Sequence, residues 1–424
     1  MKRFISILIV IMACANAVEA DNVAGKQRDS LCVSLLTCSP GDIAYTMYGH
    51  SAIRVHNITT QKDLVFNYGM FNFDEDNFIY KFVKGETDYI LGAEPADFFF
   101  GRYQERGIGI VEQVLNFTQD ECWHLYDILW TNMQPQNRTY RYNWLYDNCT
   151  TRARDAIERA VNGRVVYISQ PEADTGMTTL SARQMLHPFA RADRWVEFGQ
   201  NFILGYEIDR PLSVRQTMFL PHKFKDYAGG AVIVQEVLTD EGDTVLNEIP
   251  LISTTHDVLK PAAADNYDYI DSPFMCFLVL LIITLVLSIF EIRRHRSFKW
   301  IDVTFCVLTG LAGILVSFLY YFSEHAGVST NVLVIIFNPL PFIWIPFVIR
   351  RHVRILSYAI LAEFILFFIA IFAVGQHLDF AIWPLVSTLL VRVLVNIWLN
   401  KQKYLTLHSK SKSIKGKIKG DRRR

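Results

Sequence analysis

Five apolar stretches crowd into the last third of this 424-residue chain, near residues 274–291, 301–322, 332–349, 353–374 and 379–399. Each is about the 20 residues that an α-helix needs to cross the hydrocarbon of a bilayer. In lipid a spanning segment must satisfy its own backbone N–H and C=O groups, so such a run is compatible with helix and little else. The stretches predict an all-α membrane domain of five transmembrane helices over 273–400. Residues 21–272 hold no such stretch and are enough for one sizeable exported domain.

Charge between the spans gives orientation. Arg293, Arg294, Arg296 and Lys299 follow the first stretch and Arg350, Arg351 and Arg354 the third, whereas loops 323–330 and 375–378 carry no Lys or Arg. The positive-inside rule then puts 21–272 outside the cytoplasm and the C-terminus inside. Residues 1–20 read as a secretory signal peptide: Lys2 and Arg3, the apolar run Phe4–Ala13, and small residues up to Ala20. The chain balances 42 basic against 42 acidic residues, yet the tail 401–424 holds ten Lys/Arg and one Asp. Behind a hydrophobic stretch this tail reads as a cytoplasmic topology anchor near anionic lipid. No nucleic-acid partner is expected, since the charge comes without a reading motif. A multi-pass membrane protein whose large domain is exported fits all of these signals.

The third stretch contains Asn338-Pro339-Leu340-Pro341 and Pro346, so a kink or break is expected there. Glu324, His325 and Asn331 at its outer end read as solvated interfacial residues. Asn338, deeper in the bilayer, needs a polar partner.

The exported part reads as α+β. Residues 50–110 look strand-rich, with 51–55 and 64–68 of strand length and a polar turn between them. Residues 119–133 and 149–162 have helical spacing, and 231–237 and 245–252 are strand-like. In the second helix Asn148 is a good N-cap, which places the Cys149 thiol in the first turn. Backbone N–H groups and the positive end of the helix dipole favour a thiolate there, the nucleophilic form of cysteine.

A nucleophilic thiol needs a base and a group that orients the base. His50, after Gly49 at the start of a predicted strand, is the leading base; Asn67 on the next strand can orient its ring. The first-turn amides of Cys149 and its neighbours are candidates for an oxyanion hole. Cys38, in a predicted turn, is the competing nucleophile and is otherwise structural or pocket-lining. Cys32 and Cys38 have a spacing that could close a small disulfide loop, and the pairing of Cys32, Cys38 and Cys122 is not readable from sequence. Asp42, Glu86, Asp88 and Asp147 read as solvated or capping carboxylates. Arg102 and Arg106 could meet lipid phosphate or be surface charges, and His187 and His222 have no motif partner. The triplets at Asn57, Asn116, Asn137 and Asn148 match a glycosylation sequon, but the last overlaps the Cys149 motif.

Several separated motifs, in order, carry a family resemblance: Leu36-Thr37-Cys38-Ser39-Pro40-Gly41-Asp42, Tyr48-Gly49-His50-Ser51-Ala52-Ile53-Arg54-Val55, Val65-Phe66-Asn67-Tyr68-Gly69, Tyr142-Asn143-Trp144-Leu145-Tyr146-Asp147-Asn148-Cys149-Thr150-Thr151-Arg152, and in the membrane part Ser323-Glu324-His325 and Asn338-Pro339. They resemble the DUF4105 exported domain associated with Lnb, the lipoprotein N-acyltransferase of Bacteroidota. The order His, polar residue, then Asn-Cys opening a helix is also similar to permuted papain-like folds (NlpC/P60-type). These include the lecithin:retinol acyltransferase-like enzymes, which often have a second His where this chain has Asn67. The resemblance implies Cys149 as nucleophile, His50 as base and Asn67 as orienting group, without metal or cofactor. It implies acyl transfer from a membrane phospholipid, through a Cys149 thioester, to the α-amino group of diacylated lipoproteins. The competing readings are a papain-like cell-wall amidase or peptidase using the same pair, and a non-catalytic membrane binding or assembly protein.

Overall fold

The computed structural model describes residues 28–41, 46–71, 76–167, 177–190, 193–238, 243–262, 272–350 and 354–421. The expected signal peptide and Asp42 lie outside these. Strands β1 (Leu31–Cys38), β2 (His50–Asn57) and β3 (Lys62–Met70) form an antiparallel meander. There follow α1 (Phe78–Lys84), β4 (Asp88–Pro95), α2 (Ala96–Glu105), β5 (Ile110–Leu115), α3 (Gln119–Met133), β6 (Thr139–Arg141), α4 (Cys149–Ala160) and β7 (Arg164–Val166). Next come β8 (Met177–Ser181), α5 (Ala182–Ala190), α6 (Arg194–Ile203), β9 (Pro211–Ser213), α7 (Val214–Thr217), α8 (Pro221–Gly229), β10 (Val232–Leu238), β11 (Thr244–Pro250) and β12 (Ile252–Leu259). The strand expected over 245–252 is thus divided at Leu251, and the region 50–110 contains two helices as well as strands. Phe99 and Tyr103, four residues apart on one face of α2, are the helical signal within that region.

The main sheet has seven strands in the order β12-β5-β1-β2-β3-β4-β6. Its centre is covered on both faces, which explains the unbroken apolar run of β1. Leu31, Val33 and Leu35 meet Leu125 and Leu129 of α3 and Ala153, Ala156 and Ile157 of α4 in one core. Leu36, Cys38, Ala52 and Val65 meet Phe99 and Tyr103 of α2 in a second. Each large apolar side chain fully enclosed in these layers contributes about 1.5–3 kcal/mol. The turn before α4 reaches the membrane part: Trp144 Nε1 donates to the Ala326 carbonyl (3.2 Å), and Leu145 shares a core with Leu319, Ala326 and Val328.

The membrane part consists of α9 (Pro273–Arg294), α10 (Lys299–Phe322), α11 (Leu340–Arg350), α12 (Arg354–Val374) and α13 (Ile382–Asp421). Among the described residues, five segments are long and apolar enough to cross a bilayer. The third is broken as its prolines require: a 3-10 turn at Val332–Ile335 precedes α11. Asn338 finds its partners at that break, donating to the Ile335 carbonyl (2.9 Å) and accepting from the Leu340 N–H (3.0 Å). Gly313 lets this segment approach closely: a Cβ there would collide with the Asn338 carbonyl group.

Two outer loops carry the exported domain. The Glu324 N–H donates to the Lys84 carbonyl (2.8 Å), His325 Nε2 to the Phe82 carbonyl (2.7 Å) and Ser323 Oγ to the Val83 carbonyl (3.0 Å). Arg141 pairs with Glu324, Asn331 donates to the Phe202 carbonyl, and Asn201 donates to Asp379. The expectation that Glu324, His325 and Asn331 are merely solvated is therefore corrected. They rivet the exported domain to the bundle, and Asn331 is buried. These loops are the ones without Lys or Arg.

Candidate active site

β2 begins at His50 and β3 carries Asn67, so the sheet sets two polar side chains side by side at one end. His50 Nε2 lies 2.6 Å from Asn67 Oδ1. An amide oxygen can only accept, so Nε2 carries the proton and, in the neutral ring, Nδ1 is the base.

α4 brings the thiol to this pair. Asn148 caps the helix, accepting from the Thr150 and Thr151 N–H groups, while its own amide donates to the Trp144 (2.8 Å) and Phe219 (2.9 Å) carbonyls. Every hydrogen-bonding direction of the cap is used for placement, and Cys149 Sγ inherits that rigidity. The neighbouring amides expected in an oxyanion hole are consequently occupied by the cap; Cys149's own N–H stands outside it. Ser51 Oγ and Thr150 Oγ1, 3.1 Å apart, tie the start of β2 to the same turn.

The pair is electrically matched. Burial alone would push the Cys149 thiol up. The adjoining His50 imidazole, the Ser51 backbone N–H and the Thr150 hydroxyl outweigh it and lower the thiol to about 7. Burial disfavours the His50 imidazolium, but Cys149 and the Asn67 bond outweigh it and raise His50 above its ordinary value. The other exported cysteines go the opposite way. Burial raises Cys32, pushes Cys122 to about 12 and raises Cys38 strongly, with Cys38 also engaged by Tyr103. Cys38 lies opposite His50 in the β1–β2 register, yet is buried in the α2 core. The possible Cys32–Cys38 loop is ruled out by geometry. Both lie on β1, and six residues of strand separate them by about 20 Å.

Two residues to which the motifs gave no role complete the site. Gly69 has φ +90°, and a Cβ built there would lie 3.7 Å from Cys149 Cβ, 3.9 Å from the Tyr140 hydroxyl and 4.0 Å from His50 Cε1. Glycine thus opens the backbone beside the thiol. The Tyr140 hydroxyl is buried with no hydrogen-bond partner among the described residues. Arg152 sits 3.7 Å above its ring and is itself held by Asp147 at 2.6 and 2.7 Å. An unpaired buried hydroxyl costs about 1–3 kcal/mol, which a ligand oxygen in the site would recover. A buried donor left without a partner has no sequence signature.

The remaining candidates have structural partners. Arg102 is bidentate to Glu94 (2.6 and 2.9 Å), Arg106 lies over the Tyr103 ring, Glu86 pairs with Lys84, and Asp88 pairs with Arg141. His187 meets Glu197 at 2.8 Å and His222 packs on Phe189. Among the described residues, no group of three or more His, Cys, Asp or Glu side chains could hold a metal ion.

Fold and site together define a multi-pass membrane protein whose α+β exported domain presents a cysteine–histidine–asparagine constellation near the bilayer. Residues 24–180 match the Lnb N-terminal periplasmic domain and residues 265–404 match the Lnb transmembrane domain. The chain belongs to the Lnb family, and its exported domain is periplasmic. No curated protein and no solved structure matches it.

Proposed function

We propose that this protein is a thiol acyltransferase that N-acylates the terminal diacylglyceryl-cysteine of lipoproteins, with a membrane phospholipid as acyl donor. The observation that carries the reading is the Cys149 thiol, drawn down to about 7 beside His50 while the other exported thiols are driven up. The Lnb family membership supports acyl transfer as the chemistry.

In the first half-reaction the Cys149 thiolate attacks the donor's ester carbonyl carbon. The tetrahedral oxyanion is met by the Cys149 N–H and the Tyr140 hydroxyl. The C–O bond breaks, the acyl group stays on sulfur as a thioester, and the lysophospholipid alkoxide takes the proton held on His50 Nδ1. In the second, the lipoprotein's neutral α-amine attacks the thioester carbonyl and His50 takes the amine proton. The C–S bond then breaks, giving an amide and the free thiolate. Asn67 keeps the ring turned so that one nitrogen serves both transfers. Both substrates are bilayer lipids, which is consistent with a periplasmic domain hydrogen-bonded to the membrane bundle. The order His50, Asn67, Cys149 supports a permuted papain-like core. We place the protein in the inner membrane with its basic tail in the cytoplasm, because the Arg/Lys-bearing helix ends lie opposite the periplasmic domain.

The test is mass spectrometry of lipoprotein N-terminal peptides from cells whose sole copy carries Cys149→Ala. Diacyl peptides with free amines should accumulate, and undiminished triacylation would sink the assignment. A wall amidase using the same pair would instead leave lipoproteins unchanged and alter peptidoglycan fragments.

A further inference from the structure

Resting on that reading, we propose that the donor phospholipid's acyl chain docks in the groove between α1 and α10 and reaches Cys149 along a track of aromatic rings. The groove has a volume of about 870 Å³ and is lined by Phe78, Ile79, Tyr80 and Val83 on one wall and by Leu311, Leu315 and Phe318 among others on the opposite one. From Leu311 to the outer end of α10 at Phe322 is eleven residues, so the lower end of the groove lies about 16 Å down a spanning helix. Its surroundings at that depth are lipid chains, which makes a lipid chain the natural occupant.

The α1 wall belongs to the periplasmic domain, yet Ile79 is 78% and Tyr80 56% exposed. Large apolar side chains left so open on a domain otherwise well packed mark a surface meant to be covered. Three hydrogen bonds, from Ser323, Glu324 and His325 to the carbonyls of Val83, Lys84 and Phe82, pin this helix at the outer end of α10. Tyr80 packs on Phe318 at 6.0 Å between ring centroids, closing one end of the groove.

Packed rings lead from the groove wall toward the thiol. Phe78 stacks on Phe71 (5.8 Å), Phe71 meets Tyr89 (5.1 Å), and Tyr89 meets Tyr140 (6.5 Å), whose hydroxyl borders Gly69 and hence Cys149. An apolar seam of rings running toward the sulfur suits the chain being transferred, because its carbonyl carbon must reach Sγ with the alkyl tail trailing behind. The lipoprotein acceptor presents an amine instead, with its own acyl chains held away through the glyceryl thioether. That difference assigns the groove to the donor.

The experiment uses the full chain in phosphatidylethanolamine vesicles and follows the Cys149 thioester by intact-protein mass spectrometry. A soluble short ester, p-nitrophenyl butyrate, serves as a donor that needs no groove. Leu315→Trp, which fills the groove, and Ile79→Asp, at an exposed position that the fold does not depend on, should each slow acylation from phosphatidylethanolamine at least about tenfold. Both should react with the short ester within about twofold of the parent. Wild-type acylation rates from vesicles in both variants would overturn the groove and leave the functional reading intact. Equal loss with both donors would also overturn it, because the effect would then be on the thiol. Normal thioester formation with slow transfer to a diacylated peptide would reassign the groove to the acceptor and overturn the donor assignment. Absence of any thioester in the parent chain would overturn the functional reading, and this inference with it.

Discussion

Two of the polar clusters enclosed in this molecule are built to opposite ends. In the periplasmic domain Cys149 and His50 have one mobile proton between them, with Asn67 holding the His50 ring. In the bundle Arg392 is clamped by Asp302 (2.9 Å), Ser288 (3.2 Å) and Glu291, all buried. The Glu291 carboxylate also accepts from the Phe298 N–H, so it turns the α9–α10 corner as well as pairing with α13. The first cluster leaves groups poised and under-satisfied; the second saturates them. The contrast teaches that burial sets the stakes, whereas the number of partners decides whether a buried charge reacts or merely staples.

The comparison can be broken most severely at the reactive cluster. Cys149→Ala should lower lipoprotein N-acylation by about 10⁴-fold or more while leaving thermal unfolding nearly unchanged; scanning fluorimetry beside the peptide assay reads both. Arg392→Ala should do the reverse. Stranding two buried carboxylates costs about 3–5 kcal/mol, visible as a lower unfolding temperature in detergent, with Cys149 alkylation in the folded fraction intact. Changing Arg392, Glu291 and Asp302 together to Met, Met and Leu should restore stability to about the parent's, since no buried charge is left unpaired. Persistent instability of that triple variant would show that the cluster does more than compensate itself.

Smaller effects sharpen the picture. Tyr140→Phe removes the unpartnered hydroxyl and should lower thioester formation by about 10²-fold if it meets the oxyanion, with no loss of stability. An unchanged rate would remove Tyr140 from the mechanism. Last comes the proton itself. The Cys149 thiol is lowered, so its thiolate fraction rises through pH of about 7, and iodoacetamide labelling should follow that midpoint. His50→Gln removes the main group holding it down and should move the midpoint upward, to or above the ordinary thiol value of 9.0. A midpoint that stays put would mean that the helix start and the Ser51 and Thr150 donors suffice.

Much of this architecture was legible along the chain because it depends on local rules. The five spans follow from apolar length, the break in the third from Pro339 and Pro341, and the cap at Asn148 from side-chain chemistry two and three residues ahead. Apolar spacing placed α3 and α4. The pattern failed where neighbours overrode it: α2 was hidden in a region of strand-like composition, and Cys32 and Cys38 looked linkable until both were found on one extended strand.

Sequence by itself therefore determined the membrane bundle, the exposed loops that face the periplasmic domain and the residue types of the reactive trio, because bilayer thickness, helix capping and thiol chemistry act over a few residues. Tertiary structure alone decided that His50 and Cys149 meet, that the Tyr140 hydroxyl has no hydrogen-bond partner among the described residues, that Glu324 and His325 hold α1 against α10, and that Arg392 finds Glu291 across the bundle. Each of these joins residues about a hundred or more positions apart, or turns on a partner that never arrives, and such outcomes are settled by packing.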